Sequence, residues 1–192
     1  MAEYQLDPVH TDRERWLKQY YFVRAAFSIA WVAAAFAAGA SSPVIAGALL
    51  VLYPAWDAAA NCADALRSGG FNQNRTQVFN ALASVATTIA VVVALQTSMN
   101  RVLGIFGAWA IVSGLLQLGT AIRRWRSFGA QWAMVLSGGQ SALAGGFFIF
   151  QATTPAVPSI ANVAGYAAVG ALYFLVSAVW LAIGEWRRGV AA

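Results

Sequence analysis

The chain has 192 residues, of which 60% are hydrophobic and only 10% are charged, and its mean hydropathy is +0.62. A soluble domain is typically about 25% charged, so this composition excludes a water-soluble protein and predicts an integral membrane protein. The formal net charge of +5 is therefore not taken as a sign of nucleic-acid binding, because basic residues between apolar segments usually set the orientation in the bilayer.

Six apolar segments are long enough to cross a bilayer, which takes about 20 helical residues. They cover about 20–40, 43–66, 77–97, 101–122, 130–152 and 158–184. We therefore predict an all-α fold with a cytoplasmic N-terminal segment at 1–19, a single six-helix membrane domain at 20–188, and a short cytoplasmic tail at 189–192. The stretch from Thr11 to Glu14 fits a capping box that would begin a charged turn before the first span.

Basic residues collect at alternate ends of these segments. They lie before and within the first segment, in the loops near 67–75 and 123–126, and after the sixth segment, whereas only Arg101 falls on the other side. Eleven of the twelve Lys and Arg residues on one side is a strong positive-inside pattern. It predicts that both termini of this multi-pass membrane protein are cytoplasmic.

Three short stretches align without gaps: PAWDAAANC at 54–62, GAWAIVSGL at 107–115 and ALYFLVSAV at 171–179. Each has an aromatic residue five positions before a small or polar one. The pattern predicts three hairpin repeats, and repeats in membrane proteins often build a site where they meet. The predicted hairpins cover about 20–66, 77–122 and 130–184. The alternative is chance similarity among apolar helices of low complexity.

The fifth segment carries two neighbouring rows of small residues at a spacing of four. The rows are Ser137, Ser141 and Gly145, and Gly138, Ala142 and Gly146. Small residues at this spacing allow helix backbones to approach closely in a membrane. They predict tight helix packing, and they offer a surface for a homo-oligomer.

The second segment carries an acidic stripe. Tyr53, Asp57, Asn61 and Asp64 fall on one narrow face of a helix, because their spacings are four, four and three. Asp64 is expected near the cytoplasmic interface. Asp57 is expected near the middle of the bilayer, where an ionised aspartate costs at least about 2.5–3.5 kcal/mol unless it is paired or hydrated.

Polar partners for this stripe occur on the other segments. Arg24 in the first segment is placed to reach Asp64 or Asp57, and Gln140 adds an amide from the fifth. The third segment offers Asn80, Ser84 and Thr87, and the fourth offers Ser113, Gln117 and Thr120. If the bundle turns these polar faces inward, they would form a hydrated pocket on its cytoplasmic side. Two interpretations stay open: structural pairing that holds helices together, and a site for a proton, a cation or a small ligand.

Few side chains of the usual catalytic types are present. His10 is the only histidine and precedes the membrane, and Cys62 is the only cysteine. These counts exclude a zinc site of the HExxH type, a bis-histidine haem and a disulfide. We therefore expect no cofactor, no bound metal and no enzymatic activity.

The stretch GIFGAWAIVSGLLQLGTAIRRWRSFGAQWAMVLSGGQSALAGGFF, the three hairpins and the basic ending resemble the HdeD-like family. The resemblance covers roughly residues 20–188 and implies a non-enzymatic bacterial inner-membrane protein linked to envelope or acid-stress tolerance. It implies no active-site residues, and Asp57 and Asp64 are not part of the general family pattern. The alternative function is a small transporter or channel that uses Asp57 for protons or a cation.

Overall fold

The computed structural model describes residues 8–125 and 131–190, and it is helical throughout apart from short connections. The helices are α1 Pro8–Ala34, α2 Pro43–Arg67, α3 Arg75–Ala94, α4 Met99–Arg124, α5 Gln131–Ala152 and α6 Ile160–Val190. A short π-helix, Ala35–Gly39, continues α1. All six helices are long and apolar enough to cross a membrane, and the predicted all-α fold with six candidate spans is confirmed to that extent.

The first helix begins before the predicted segment 20–40, and the last helix ends after the predicted segment 158–184. Helix α1 is already formed at Pro8, so the stretch from Thr11 to Glu14 lies inside it and does not begin it. Helix α6 continues to Val190 and carries Arg187 and Arg188 in its last turn, where cations favour the helix dipole. The helical pattern therefore extends through the charged flanks. The predicted start of the fifth segment at 130 lies outside the described residues.

The start and the end of α2 follow local rules that the sequence contains. The Ser42 hydroxyl accepts a hydrogen bond from the Ile45 amide at 3.4 Å, and proline occupies the first turn, as an N-cap followed by proline predicts. At the other end Gly69 has φ +110°, and the Gly70 amide donates to the Ala65 carbonyl at 2.9 Å. This is a Schellman termination, which needs the left-handed conformation that glycine adopts easily.

The helices pair differently from the predicted hairpins. The closest backbone approaches join α4 to α5, α1 to α6 and α2 to α3, whereas α1 and α2 meet mainly through side chains such as Arg24 and Asp57. Ion pairs contribute to the contact between the first and last helices, where Lys18 pairs with Glu185 and Glu14 lies 2.5 Å from Arg188. Adjacent spans are therefore not always the closest partners, and the internal repeat stays a prediction.

Four glycines hold α4 and α5 against each other, and we call this contact the glycine seam: Gly107 and Gly114 on α4, Gly138 and Gly145 on α5. A β-carbon on Gly138 would lie 2.7 Å from the Gly114 carbonyl oxygen, and one on Gly107 would lie 2.7 Å from the Gly145 carbonyl oxygen. Backbone therefore meets backbone, and no larger residue fits without displacing a helix.

The seam confirms the predicted close packing of α5 for most of the two rows. Ser137 and Ser141 are buried, and the Ala142 amide nitrogen would lie 3.0 Å from a β-carbon on Gly114. Gly146 lies outside this contact, because it is exposed and a β-carbon there would meet nothing within 4 Å. The packing face follows a spacing of seven, from Gly138 to Gly145. Since α4 covers this face, the glycines need no second copy of the chain to explain them.

The two ends of the bundle differ in chemistry. One end, called the basic end here, gathers Lys18, Arg67, Arg75, Arg123 and Arg188, and its elements meet through ion pairs and hydrogen bonds. The opposite half, called the apolar half, contains a core that includes Trp31, Leu50, Val91, Phe106 and Val163. Helical length places the acidic stripe of α2 between these two regions.

Candidate functional site

A polar cavity of about 80 Å³ lies among all six helices, between the basic end and the apolar half. Every helix contributes polar side chains to the lining of this cavity. One example from each helix, in chain order, is Arg24, Asp57, Asn80, Ser113, Gln131 and Tyr166. A single water needs only about 10–15 Å³ of such space, so the cavity accommodates several waters or a solute of a few heavy atoms. The predicted inward-facing polar faces of α3 and α4 meet here.

Asp57 is only 6% exposed and is held from three helices. Its Oδ1 atom pairs with the Arg24 guanidinium of α1. Its Oδ2 atom accepts from the Ser84 hydroxyl at 2.8 Å and from the Asn61 amide at 2.9 Å. Of the two aspartates that Arg24 was expected to reach, it pairs with Asp57 and not with Asp64. A buried carboxylate needs both a counter-ion and hydrogen bonds to be tolerated, and this one has them.

Arg24 is fixed by contacts besides its ion pair. It donates to the Tyr20 hydroxyl at 2.9 Å, and its guanidinium carbon lies 4.4 Å from the centre of the Phe174 ring. A planar guanidinium favours this combination of fork-like donors and an aromatic face. The positive charge is therefore held at one position in the cavity wall and does not extend to the surface.

Asp64, which the sequence places near the cytoplasmic interface, is covered by neighbouring helices. It is 3% exposed and pairs with Arg124 of α4 at 3.2 Å. The Gln77 amide donates to it at 3.2 Å and the Ser68 hydroxyl at 3.0 Å. Because α3 runs antiparallel to both α2 and α4, the C-terminal ends of α2 and α4 lie at the same end of the bundle, where Arg124 covers the carboxylate.

The remaining predicted site residues divide into two groups. Tyr53 and Gln117 line the cavity. The Tyr53 ring meets that of Trp109 edge-on at 5.9 Å, and the Gln117 amide points toward the Met134 sulfur at 3.7 Å. Gln140 is not among the lining residues, and the α5 amide that does line the cavity is Gln131. The prediction for Gln140 is therefore wrong, because residues 137 and 141 face inward and 140 lies beside that face.

Sequence reasoning missed several residues of the site. Arg124 was assigned to a basic loop, although it continues the polar stripe of α4 at a helical spacing after Ser113, Gln117 and Thr120, and this spacing was a usable signal. Trp109 donates to the Ser84 hydroxyl at 2.9 Å and was read only as part of a repeat. Tyr166 lies 3.1 Å from the Ser141 hydroxyl, and no pattern in α6 singled it out.

The charges that line the cavity balance. Two aspartates, Asp57 and Asp64, face two arginines, Arg24 and Arg124. Because each carboxylate already has a guanidinium partner, neither offers the uncompensated charge that holds a cation. The part of the chain that the structure describes contains no group of three or more side chains suited to hold a metal ion. The site is thus a neutral polar chamber with two internal ion pairs.

Comparison of the chain with protein-family models, with curated proteins and with solved structures finds no match. The resemblance to the HdeD-like family therefore stays a prediction from the sequence. The geometry of the cavity is the remaining basis for a functional assignment.

Proposed function

We propose that this protein is a small, non-enzymatic membrane transporter in which protons enter the polar cavity from the basic end and reach Asp57. The observation that carries the proposal is the Asp57–Arg24 pair, which lines a cavity deep inside the bundle. Ionisable residues at such a depth are costly, and they commonly mark proton or ion pathways.

Geometry favours a proton over a metal cation as the transported ion. Oδ1 of Asp57 faces a guanidinium, and Oδ2 already accepts two hydrogen bonds, so a cation would find no free carboxylate ligands. A proton needs only one of these oxygens. Its arrival would neutralise Asp57 and leave Arg24 without its counter-ion, which couples protonation to movement of α1 against α2.

The path to the opposite side is closed by large apolar side chains. Leu50 and Phe106 are fully buried above the cavity, and Trp31 is 3% exposed. An open pore is therefore not expected. Proton movement should be slow and should depend on a rearrangement of the helices, as in alternating access.

The test is proton uptake into liposomes that contain the purified protein, an internal pH-sensitive dye and an imposed membrane potential. Uptake should exceed that of protein-free liposomes and should be lost in Asp57→Asn and in the double variant Asp57→Asn/Arg24→Gln, which strands neither charge. Glu185→Gln, which changes an ion pair outside the cavity, should keep it. Wild-type uptake at the protein-free rate, or full uptake by the double variant, would refute the proposal.

Orientation and setting are part of the same proposal. The accumulation of basic residues at one end supports cytoplasmic termini, and the inner membrane of a bacterium is what the HdeD-like resemblance implies. Reporter fusions after residue 70 and at the C-terminus should then report the cytoplasm, and one near residue 154 the opposite side. A role in envelope or acid-stress tolerance, as the HdeD-like resemblance implies, fits a proton-handling protein and is tested by survival at low pH with and without Asp57→Asn.

A further inference from the structure

Two buried polar atoms in the cavity wall have no hydrogen-bond partner among the described residues: the Ser113 hydroxyl oxygen and the Asn80 side-chain carbonyl oxygen. Both residues line the cavity, and Ser113 is only 9% exposed. Buried polar atoms are nearly always hydrogen-bonded in folded proteins, so an exception needs an explanation.

The two atoms occupy the same level of the bundle. Helices α3 and α4 are joined on one side of this level by the Trp109 and Ser84 side chains, 2.9 Å apart. On the other side Thr120 donates to Thr76, also at 2.9 Å. Ser113 lies one helical turn from Trp109, and Asn80 lies one turn from Ser84. Side-chain hydrogen bonds therefore link α3 to α4 on both sides of this level. At the level itself, Asn80 and Ser113 are not linked by such a bond.

The orientation of the Asn80 amide is set by the ion pair. Asp57 takes the amide hydrogens of Asn61, through its Oδ2 atom at 2.9 Å and its backbone carbonyl at 2.8 Å. The carbonyl oxygen of Asn61 is left to accept, and it accepts from the Asn80 amide nitrogen at 3.3 Å. The Asn80 carbonyl oxygen must then point away from Asn61. It requires a donor that none of the described side chains supplies.

We infer that Asn80 and Ser113 form a subsite for a small uncharged solute that carries an N–H or O–H donor next to an acceptor. The donor would bond the Asn80 carbonyl oxygen, and the Ser113 hydroxyl would bond the acceptor. An uncharged solute is selected because the two aspartates and two arginines of the cavity already balance, and an added net charge would be desolvated without a counter-ion.

This inference rests on the proposed transport role of the cavity and names a second occupant for it. The volume of about 80 Å³ limits the solute to a few heavy atoms. Urea represents the amide class and glycerol the polyol class, and the two share the required donor and acceptor. Tetramethylurea keeps the carbonyl group of urea but has no N–H donor and twice as many heavy atoms, so its exclusion tests size and donor together, and the serine variants below separate the two.

The experiment measures the swelling of protein-containing liposomes in a gradient of urea, glycerol or tetramethylurea, after subtraction of the rate in protein-free liposomes. Urea or glycerol should enter through the wild-type protein, and tetramethylurea should not. Ser113→Ala and Asn80→Ala should each reduce the protein-dependent rate about tenfold, the factor that corresponds to the loss of one hydrogen bond. Which of urea and glycerol is faster identifies the preferred class.

Ser177→Ala is the matched control. The Ser177 hydroxyl is also buried without a partner among the described residues, but Ser177 does not line the cavity. Removal of an unpaired hydroxyl should not lower the melting temperature at either serine, so a selective loss of swelling in Ser113→Ala cannot arise from misfolding. Equal swelling of Ser113→Ala and Ser177→Ala, or entry of tetramethylurea as fast as urea, would overturn the inference.

Failure of this inference can be distinguished from failure of the proposed function. Proton uptake that depends on Asp57, without protein-dependent swelling in urea or glycerol, would reject the solute subsite and leave the proton role in place. Absence of both signals would reject both. Swelling that depends on Ser113, without proton uptake, would support the subsite and reject proton transport.

Discussion

The glycine seam and the polar cavity lie side by side in one bundle, and α4 takes part in both. At the seam, backbone meets backbone, and a single β-carbon would come within 2.7 Å of a carbonyl oxygen. In the cavity, charged side chains from separate helices meet, and each carboxylate has its own guanidinium. The seam thus depends on the absence of side chains at its glycines, and the cavity depends on balanced charges. Different substitutions should therefore destabilise the two regions.

The largest effect should follow from stranding one charge in the cavity. Arg24→Gln or Asp57→Asn alone should lower the free energy of unfolding by about 3–5 kcal/mol, because the remaining partner is buried without a counter-ion. The double variant should recover part of this loss. Thermal unfolding in detergent measures all three proteins, and a double variant that is as unstable as the sum of both single variants would contradict charge balance as the organising feature.

A smaller loss should follow from adding one methyl group to the seam. Gly138→Ala should cost about 1–3 kcal/mol, because the new carbon forces the backbones of α4 and α5 apart. Its neighbour Gly139 faces open space, so Gly139→Ala should instead stabilise the helix by up to about 1 kcal/mol. Gly145→Ala and Gly146→Ala form a second matched pair with the same expected signs.

The same thermal unfolding measurement compares the two pairs. Loss of stability in Gly138→Ala and Gly145→Ala with none in Gly139→Ala and Gly146→Ala would locate the close contact on one face of α5. Similar melting temperatures for all four variants would show that the seam tolerates volume, and the contrast between seam and cavity would then disappear.

The smallest effect should come from an ion pair outside the cavity. Glu185 is 44% exposed at its side chain and pairs with Lys18, and exposed pairs contribute about 0–1 kcal/mol. Glu185→Gln should therefore shift the melting temperature only slightly, and by less at high salt, which screens surface charges. A loss as large as that of Arg24→Gln would mean that burial does not separate the two classes of ion pair.

The sequence by itself determined the class of the fold and the number of candidate spans. Length and hydropathy marked six segments, and all six are helices in the structure. The cap of α2 also follows from neighbouring residues alone, because Ser42 stands directly before a proline at the start of that helix. Such features need only interactions within a few positions along the chain, so spacing and residue type suffice to predict them.

Only the tertiary structure decided which helices and which side chains meet. Spacing put Asp64 on the same face as Asp57, but it could not show that Arg124 from α4 covers it. Spacing also made Gln140 and Gly146 plausible members of inward faces, and both lie outside them. The reason is physical: a helix has one periodicity, but its rotation about its axis and its choice of neighbour depend on packing over the whole bundle. Partners distant in sequence therefore become visible only once the helices are assembled.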